Sequence, residues 1–144
     1  MYIYIRSMSE AQKVVYDDIR NVGYKIVEHL IKLVLFPEAQ ERHHWEKEII
    51  AMLHSVSKVK SNNKYPKYKF ILDALQTRND TIDALILYVK DEESDLTSRD
   101  ISSSVIENAI VKYQEWLARE LSMNGVIIPQ AAYAQLEEIV DATL

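Results

Sequence analysis

The segment KVKSNNKYPKYKF, residues 58–70, combines side chains that could bind a nucleic acid. It carries five lysines, two tyrosines and a phenylalanine, and no acidic residue. Ammonium groups neutralise phosphates and aromatic rings stack on bases, so this combination is typical of a nucleic-acid contact. Asparagine, serine and proline are also what a solvated connector between two helices requires. The nucleic-acid interpretation involves Lys58, Lys60, Lys64, Tyr65, Lys67, Tyr68 and Lys69.

The charge of the whole chain favours the connector interpretation. The 144 residues include 17 Lys and Arg against 22 Asp and Glu, a net charge of -5. Outside the segment, the remaining 12 basic residues face all 22 acidic ones, which opposes binding to a long polyanion. We therefore interpret the segment as a connector and keep nucleic-acid binding as the alternative function.

Histidines are the second group that could do chemistry. On a helix, Glu41, His44 and Glu48 share one sector, and carboxylate-bridged dimetal bundles use such a Glu-x-x-His element. Those bundles need the element twice, and it occurs here once. Histidines beside acidic residues more often form surface ion pairs, so we expect no metal site. The chain contains His29, His43, His44 and His54.

Known catalytic motifs are missing from the sequence. Cysteine is absent, which excludes disulfides, thiolate metal ligands and a cysteine nucleophile. No Gly-x-Ser-x-Gly, lysine-bearing phosphate loop or His-Glu-x-x-His element occurs. We expect no enzymatic activity, no catalytic residue and no cofactor.

The elements that must position these residues are predicted to be helices. Two glycines and three prolines are too few for the turns of a sandwich or barrel. Apolar residues recur at intervals of three and four, which predicts an all-α fold, a helical bundle of four long helices plus a shorter C-terminal helix. We expect a single domain of residues 1–144 with an N-terminal arm, 1–8. The predicted helices run from a Ser7–Glu10 capping box to Phe36, from Pro37 to Ser57, from Pro66 to about Lys90, from a cap formed by Thr97 and Asp100 to Asn124, and from Pro129 onward.

The third of these helices contains one position that does not fit the pattern. Asn79 falls where an apolar residue is expected. We favour a continuous helix with a polar core position over a break at RNDT with Asp80 as a new cap. The predicted inner residues elsewhere are Val15, Ile19, Val22, Ile26, Leu30 and Leu33; Trp45, Ile49, Met52, Leu53 and Val56; Ile101, Val105, Ala109, Tyr113, Trp116 and Leu117; and Leu136, Ile139, Val140 and Leu144.

The opening arm is a candidate surface for a partner. Tyrosine and tryptophan give large contact areas at low entropic cost, and the chain has nine tyrosines. The arm that precedes the first helix contains Tyr2, Tyr4 and Arg6. Because these residues do not belong to the apolar face of a predicted helix, they can bind a partner, a second copy or the chain's own bundle.

No apolar run reaches the roughly 18 residues that span a bilayer, and the first residues lack the long apolar region of a signal peptide. We therefore expect no membrane contact and a cytoplasmic location.

The segment EHLIKLVLFPEAQERHHWEKEI, residues 28–49, resembles a bacterial family of a domain of unknown function, the one numbered twenty-nine. In that family a His-Leu-Leu-Lys-like helix end precedes a Pro-Glu-like corner, an Arg-rich stretch and a tryptophan. The resemblance implies an all-helical fold and no particular activity. The matching residues are His29, Leu30, Lys32, Pro37, Glu38, Arg42 and Trp45.

These observations favour a non-enzymatic helical bundle that binds another protein, as a regulator, an inhibitor or an assembly component. The negative charge favours a partner that is basic or that itself binds nucleic acid. Self-association is a second expectation, and an origin in a virus or mobile element would fit so compact an all-helical chain.

Overall fold

The computed structural model describes residues 8–61 and 67–144, and every regular element in these two ranges is helical, which confirms the all-α class. A short 3-10 turn, Asn79–Thr81, separates the third and fourth α-helices. The described part of the chain therefore holds six α-helices where the sequence predicted five. They are α1 Glu10–Leu35, α2 Arg42–Ser61, α3 Tyr68–Gln76, α4 Ile82–Glu92, α5 Ser103–Asn124 and α6 Pro129–Ala142.

Helix α1 lies at the centre of the fold. It contacts α2, α3, α4 and α5, and seven consecutive residues at its end, 30–36, are buried. A helix that is apolar on nearly every side needs neighbours on every side, so its sequence explains this position. The buried apolar side chains of all six helices form one contiguous cluster.

The start of α1 differs from the prediction. Ser9 is the N-cap: its hydroxyl accepts a hydrogen bond from the Gln12 backbone N–H at 3.2 Å, and the Gln12 side chain accepts one from the Ser9 N–H at 2.9 Å. The capping box predicted at Ser7 and Glu10 is therefore wrong, since Glu10 is the first helical residue.

The predicted corner at Phe36–Pro37 is present, but α2 begins later than expected. The Phe36 N–H caps α1 by donating to the Lys32 carbonyl at 2.9 Å. Two hydrogen-bonded turns then follow, Ala39 to Phe36 and Arg42 to Ala39, each at 3.1 Å. Pro37 lies in these turns and does not start the helix. The predicted inner residues of α2 are buried, apart from the half-buried Met52.

The predicted continuity through Asn79 is wrong. The Asn79 and Gln114 side-chain amides donate to each other at 2.8 and 3.0 Å, and Gln114 also donates to the Leu75 carbonyl at 3.0 Å. The pair joins the 3-10 turn to α5 and satisfies the buried side-chain amide of Gln114. The chain makes this contact where the prediction had one more turn of α-helix. Asp80 is not a cap, because it lies inside the 3-10 turn and α4 has no side-chain cap.

The N-cap of helix α5 is Ser102, so the cap predicted from Thr97 and Asp100 is wrong. The Ser102 hydroxyl accepts a hydrogen bond from the Val105 N–H at 3.4 Å. Val105 was predicted inside and is 38% exposed, because Ile106 and Ile110 occupy the inner face instead. The predicted stop is confirmed: Gly125 adopts the left-handed conformation with φ 72°.

Helix α6 begins at Pro129 as predicted and buries Leu136, Ile139 and Val140. Leu144 was also predicted inside, but it lies after the helix and is 70% exposed. Within residues 8–61 and 67–144, no helix combines the length and apolar character that crossing a bilayer requires.

Candidate protein-interaction surface

The structure leaves most of the predicted binding residues undescribed. Tyr2, Tyr4 and Arg6, predicted to bind a partner, lie outside the described residues, as do Lys64 and Tyr65 of the lysine-rich segment. Both proposals for these residues therefore remain predictions. Lys58 and Lys60 belong to the last turn of α2, where the structure describes the backbone alone.

The described end of the lysine-rich segment is only partly presented to solvent. Lys67 and Lys69 are exposed, whereas Tyr68 is half-buried and packs against the core. Because part of the Tyr68 ring is used in packing, less of it is offered for stacking on a base. Nucleic-acid binding by the lysines stays a prediction.

One histidine, His29, joins helices α1 and α2. Glu48 contacts His29 Nε2 with one carboxylate oxygen and His44 Nε2 with the other, the second at 2.6 Å. The His29 Nδ1 also donates to the Lys25 carbonyl at 2.8 Å. Burial alone would raise the pKa of Glu48, but His29, together with the charges of His44 and Lys32, lowers it.

Both oxygens of the Glu48 carboxylate are therefore engaged by imidazoles. No group of three His, Cys, Asp or Glu residues in the described part of the chain is arranged to hold a metal ion. Glu48 thus links α2 to α1 through His29, and its contact with His44 lies within α2.

A buried lysine joins α1 to α4. Lys32 is 8% exposed, and its Nζ lies 2.6 Å from Glu92 Oε1 and 3.6 Å from Glu93 Oε1. It also lies over the Trp45 ring, 5.9 Å from the centroid. Burial would lower the pKa of Lys32, but the hydrogen bond and charge of Glu92 outweigh it and raise the pKa. Sequence reasoning gave Lys32 no role of its own, although a lone cation in an apolar run and an acidic pair downstream were visible.

The outer side of α4 presents two large side chains to solvent. Leu87 is 69% exposed and Tyr88 is 53% exposed. The Tyr88 hydroxyl donates to Glu92 Oε2 at 2.9 Å, so one carboxylate holds both Tyr88 and Lys32. The opposite side of the helix is buried through Ile82, Leu85, Ile86 and Val89.

Aspartates frame this exposed pair. Asp83 precedes Leu87 by four residues and Asp91 follows it by four, so each lies one helical turn away on the same side. Both aspartates are exposed. We call the surface formed by Asp83, Leu87, Tyr88 and Asp91 the Leu87 face. Sequence analysis missed it, although Leu87 and Tyr88 are the large residues of α4 outside its buried spacing.

Other exposed apolar residues have simpler explanations. Met123, Val126 and Ile128 surround Gly125, and a tight turn between two helices leaves side chains at its outer edge exposed. Val14 is 61% exposed on α1. Single exposed apolar residues are common on protein surfaces.

An open cleft of about 490 Å³ lies between residues 35–39 and 96–99, beside Leu144. Arg99 lines it, but the guanidinium is engaged internally. Nε donates to the Val34 carbonyl at 2.7 Å, Nη1 to the Thr143 carbonyl at 2.8 Å, and Nη2 to the Thr143 hydroxyl. We therefore assign Arg99 to holding the ends of α1 and α6 together.

No family model matches the chain, and neither a curated protein nor a solved structure matches it. The resemblance of residues 28–49 to the domain family numbered twenty-nine stays a prediction.

Proposed function

We propose that this protein is a non-enzymatic helical bundle that binds another protein through the Leu87 face. The supporting observation is the exposure of Leu87 and Tyr88 side by side, 69% and 53%, on a helix whose inner side is fully packed. Tyrosine is among the residues that contribute most to protein interfaces, and removing exposed apolar area from water favours association.

Helix α4 provides a rigid platform for such a contact. Val89 is completely buried, and the Lys32–Glu92 ion pair ties the end of the helix to α1. The Tyr88 hydroxyl is held by Glu92, so its ring is already oriented before a partner arrives. Preorganisation of this kind lowers the entropic cost of binding.

The non-enzymatic part of the proposal is supported by how the titratable groups are used. His29 and His44 each bind Glu48, and Arg99 binds backbone and hydroxyl acceptors. These groups hold helices together. The roles of regulator, inhibitor or assembly component, a cytoplasmic location, self-association and a viral or mobile-element origin remain predictions from the sequence.

The proposal is tested by capture of partners from cells that produce the tagged protein. We expect Leu87→Ser to lose the partner that the wild-type protein retains, because the change removes most of the apolar contact without touching the core. Met123→Ser is the matched control. Met123 is 78% exposed and lies in the last turn of α5, outside the Leu87 face. Circular dichroism and thermal melts establish that both variants are folded. Retention of every partner by folded Leu87→Ser protein would overturn the proposal.

A further inference from the structure

The net charge of the protein lies in the segment that contains the Leu87 face. Residues 79–100 include seven acidic and two basic residues, whereas the rest of the chain has fifteen of each. The whole net charge of -5 thus belongs to this one segment. A partner approaching α4 therefore meets a negative potential that the rest of the chain, with equal numbers of acidic and basic residues, does not have.

Internal ion pairs remove only part of this charge. Glu92 and Glu93 bind the buried Lys32. The remaining acidic residues of this segment are exposed, and none of them forms an ion pair with a side chain of residues 8–56 or 67–144: Asp80, Asp83, Asp91, Asp95 and Asp100. Their charge is available to a partner.

We infer that the partner of the Leu87 face is a basic amphipathic helix of another protein, with an apolar side chain flanked by Lys or Arg one turn before and one turn after. Asp83 and Asp91 lie about 12 Å apart along the axis of α4, with Leu87 midway between them. A partner helix of this pattern places its apolar residue on Leu87 and Tyr88 and its cations on the two aspartates. This inference rests on the proposed function.

The apolar contact and the ion pairs of this interface are expected to contribute differently to affinity and to selectivity. Exposed ion pairs contribute little to affinity on their own, so the buried apolar contact supplies the attraction. The aspartates select the partner, because an acidic helix would place like charges against Asp83 and Asp91. Binding should therefore require the apolar residue, and acidic residues in place of its flanking cations should oppose it.

A designed helical peptide tests the inference directly. It carries a central leucine with lysines four residues before and after, and its affinity for the full chain is measured by fluorescence anisotropy. We expect Asp83→Lys/Asp91→Lys to weaken binding about tenfold or more. The control is Glu137→Lys/Asp141→Lys, which has the same net charge and changes two exposed acidic residues of α6. We expect the control to change the affinity less than about twofold, because it leaves the local field intact.

Results of three kinds would overturn the inference. The first is equal loss of affinity in both double variants, which would show attraction by bulk charge alone. The second is equal binding of a peptide with glutamates in place of the lysines, or no binding of the lysine peptide at all. The third is salt-sensitive self-association of the wild-type chain, abolished by Asp83→Lys/Asp91→Lys, which would make a second copy the occupant.

The two proposals fail in different ways. If Leu87→Ser loses its cellular partner but the lysine peptide does not bind, the Leu87 face is an interface and its partner is not a basic helix. If Leu87→Ser keeps every partner, the proposed function fails whatever the peptide does.

Discussion

At the scale of single residues, two buried tyrosines differ in the hydrogen bonding of their hydroxyls. Tyr16 donates to Asp73 at 2.9 Å and lies 3.1 Å from the Thr77 hydroxyl. The Tyr113 hydroxyl is buried without a hydrogen-bond partner among the described residues, and burial raises its pKa. The Tyr113 ring stacks on Trp116, with the centroids 5.7 Å apart.

We expect Tyr113→Phe to change the free energy of unfolding by less than about 0.5 kcal/mol, since no hydrogen bond is lost. Tyr16→Phe should cost about 1–2 kcal/mol, because it leaves Asp73 and Thr77 without this partner. Urea unfolding of both variants compares two equally conservative changes. A cost for Tyr113→Phe that matches the cost for Tyr16→Phe would contradict the assignment.

The Lys32–Glu92 pair predicts a pH dependence. The hydrogen bond from Lys32 lowers the pKa of Glu92, and burial opposes this effect only in part. A carboxyl whose pKa is lowered by folding stabilises the protein above its unfolded pKa of about 4.3, and this stability is lost as the pH falls through the folded pKa. Wild-type protein should therefore lose stability between about pH 5 and pH 3.

Glu92→Gln removes the titrating group, so its stability should fall less than that of the wild type over this pH window. Glu137→Gln, an exposed change on α6, should follow the wild-type curve. Chemical unfolding at a series of pH values provides the comparison. Parallel curves for Glu92→Gln and wild type would show that the pair adds nothing.

The residues of the candidate site could be predicted only in part from the sequence. The exposure of Leu87 follows from the spacing of Ile82, Leu85, Ile86 and Val89, which leaves position 87 outside. The ion pairs of Lys32 could not be predicted from the spacing of residues, because its partners are about sixty residues away in the chain. Pairings across such distances depend on how helices pack, and local patterns do not encode them.

At the scale of helices, the break between α3 and α4 depends on one pair of amides. Gln114 is 1% exposed, and its hydrogen bonds go to Asn79 and to the Leu75 carbonyl. Asn79→Ala should cost about 1–3 kcal/mol, because it leaves buried groups of Gln114 without partners.

A double-mutant cycle isolates this contact. Gln114→Leu combined with Asn79→Ala removes both amides, so the cost of the double variant should be smaller than the sum of the two single costs. Unfolding free energies of the three variants supply the coupling. Additive costs would show that the paired amides do not hold the break.

Helix ends were harder to predict than helix existence. Gly125 ended α5 as expected, because a left-handed residue there favours glycine. Ser7, Thr97 and Asp100 were predicted as caps, but Ser9 and Ser102 have that role. Several neighbouring residues can cap a helix equally well, and tertiary packing decides which one does.

At the scale of the whole molecule, Arg99 connects distant parts of the chain. Its guanidinium donates to the Val34 carbonyl and to two oxygens of Thr143, while its backbone N–H donates to the Leu35 carbonyl at 3.0 Å. The residue therefore satisfies carbonyls at the end of α1 and fixes the end of α6 beside them.

We expect Arg99→Lys to cost about 1–3 kcal/mol, because an ammonium group cannot reproduce the planar fork of a guanidinium. Arg119→Lys, the same change at an exposed position of α5, should cost less than about 0.5 kcal/mol. Thermal or urea unfolding gives both values. Similar costs for the two variants would show that Arg99 does not connect the helix ends.

The all-α class could be predicted because composition and spacing agree along the whole chain. The location of the net charge could also be read from residues 79–100, but its meaning depends on Lys32 neutralising Glu92 and Glu93 and leaving the aspartates unpaired. The sequence predicted a negative protein, and its net charge lies in the segment that contains Leu87.

Site-specific photo-crosslinking from position 87 tests the protein-binding surface most directly. A photoreactive amino acid at position 87 in the full chain, activated in the cells that produce it, should give a discrete crosslinked product containing another protein. The same amino acid at position 14, where Val14 is comparably exposed on α1, should not give that product. Equal crosslinking from both positions, or no product from position 87, would contradict the account.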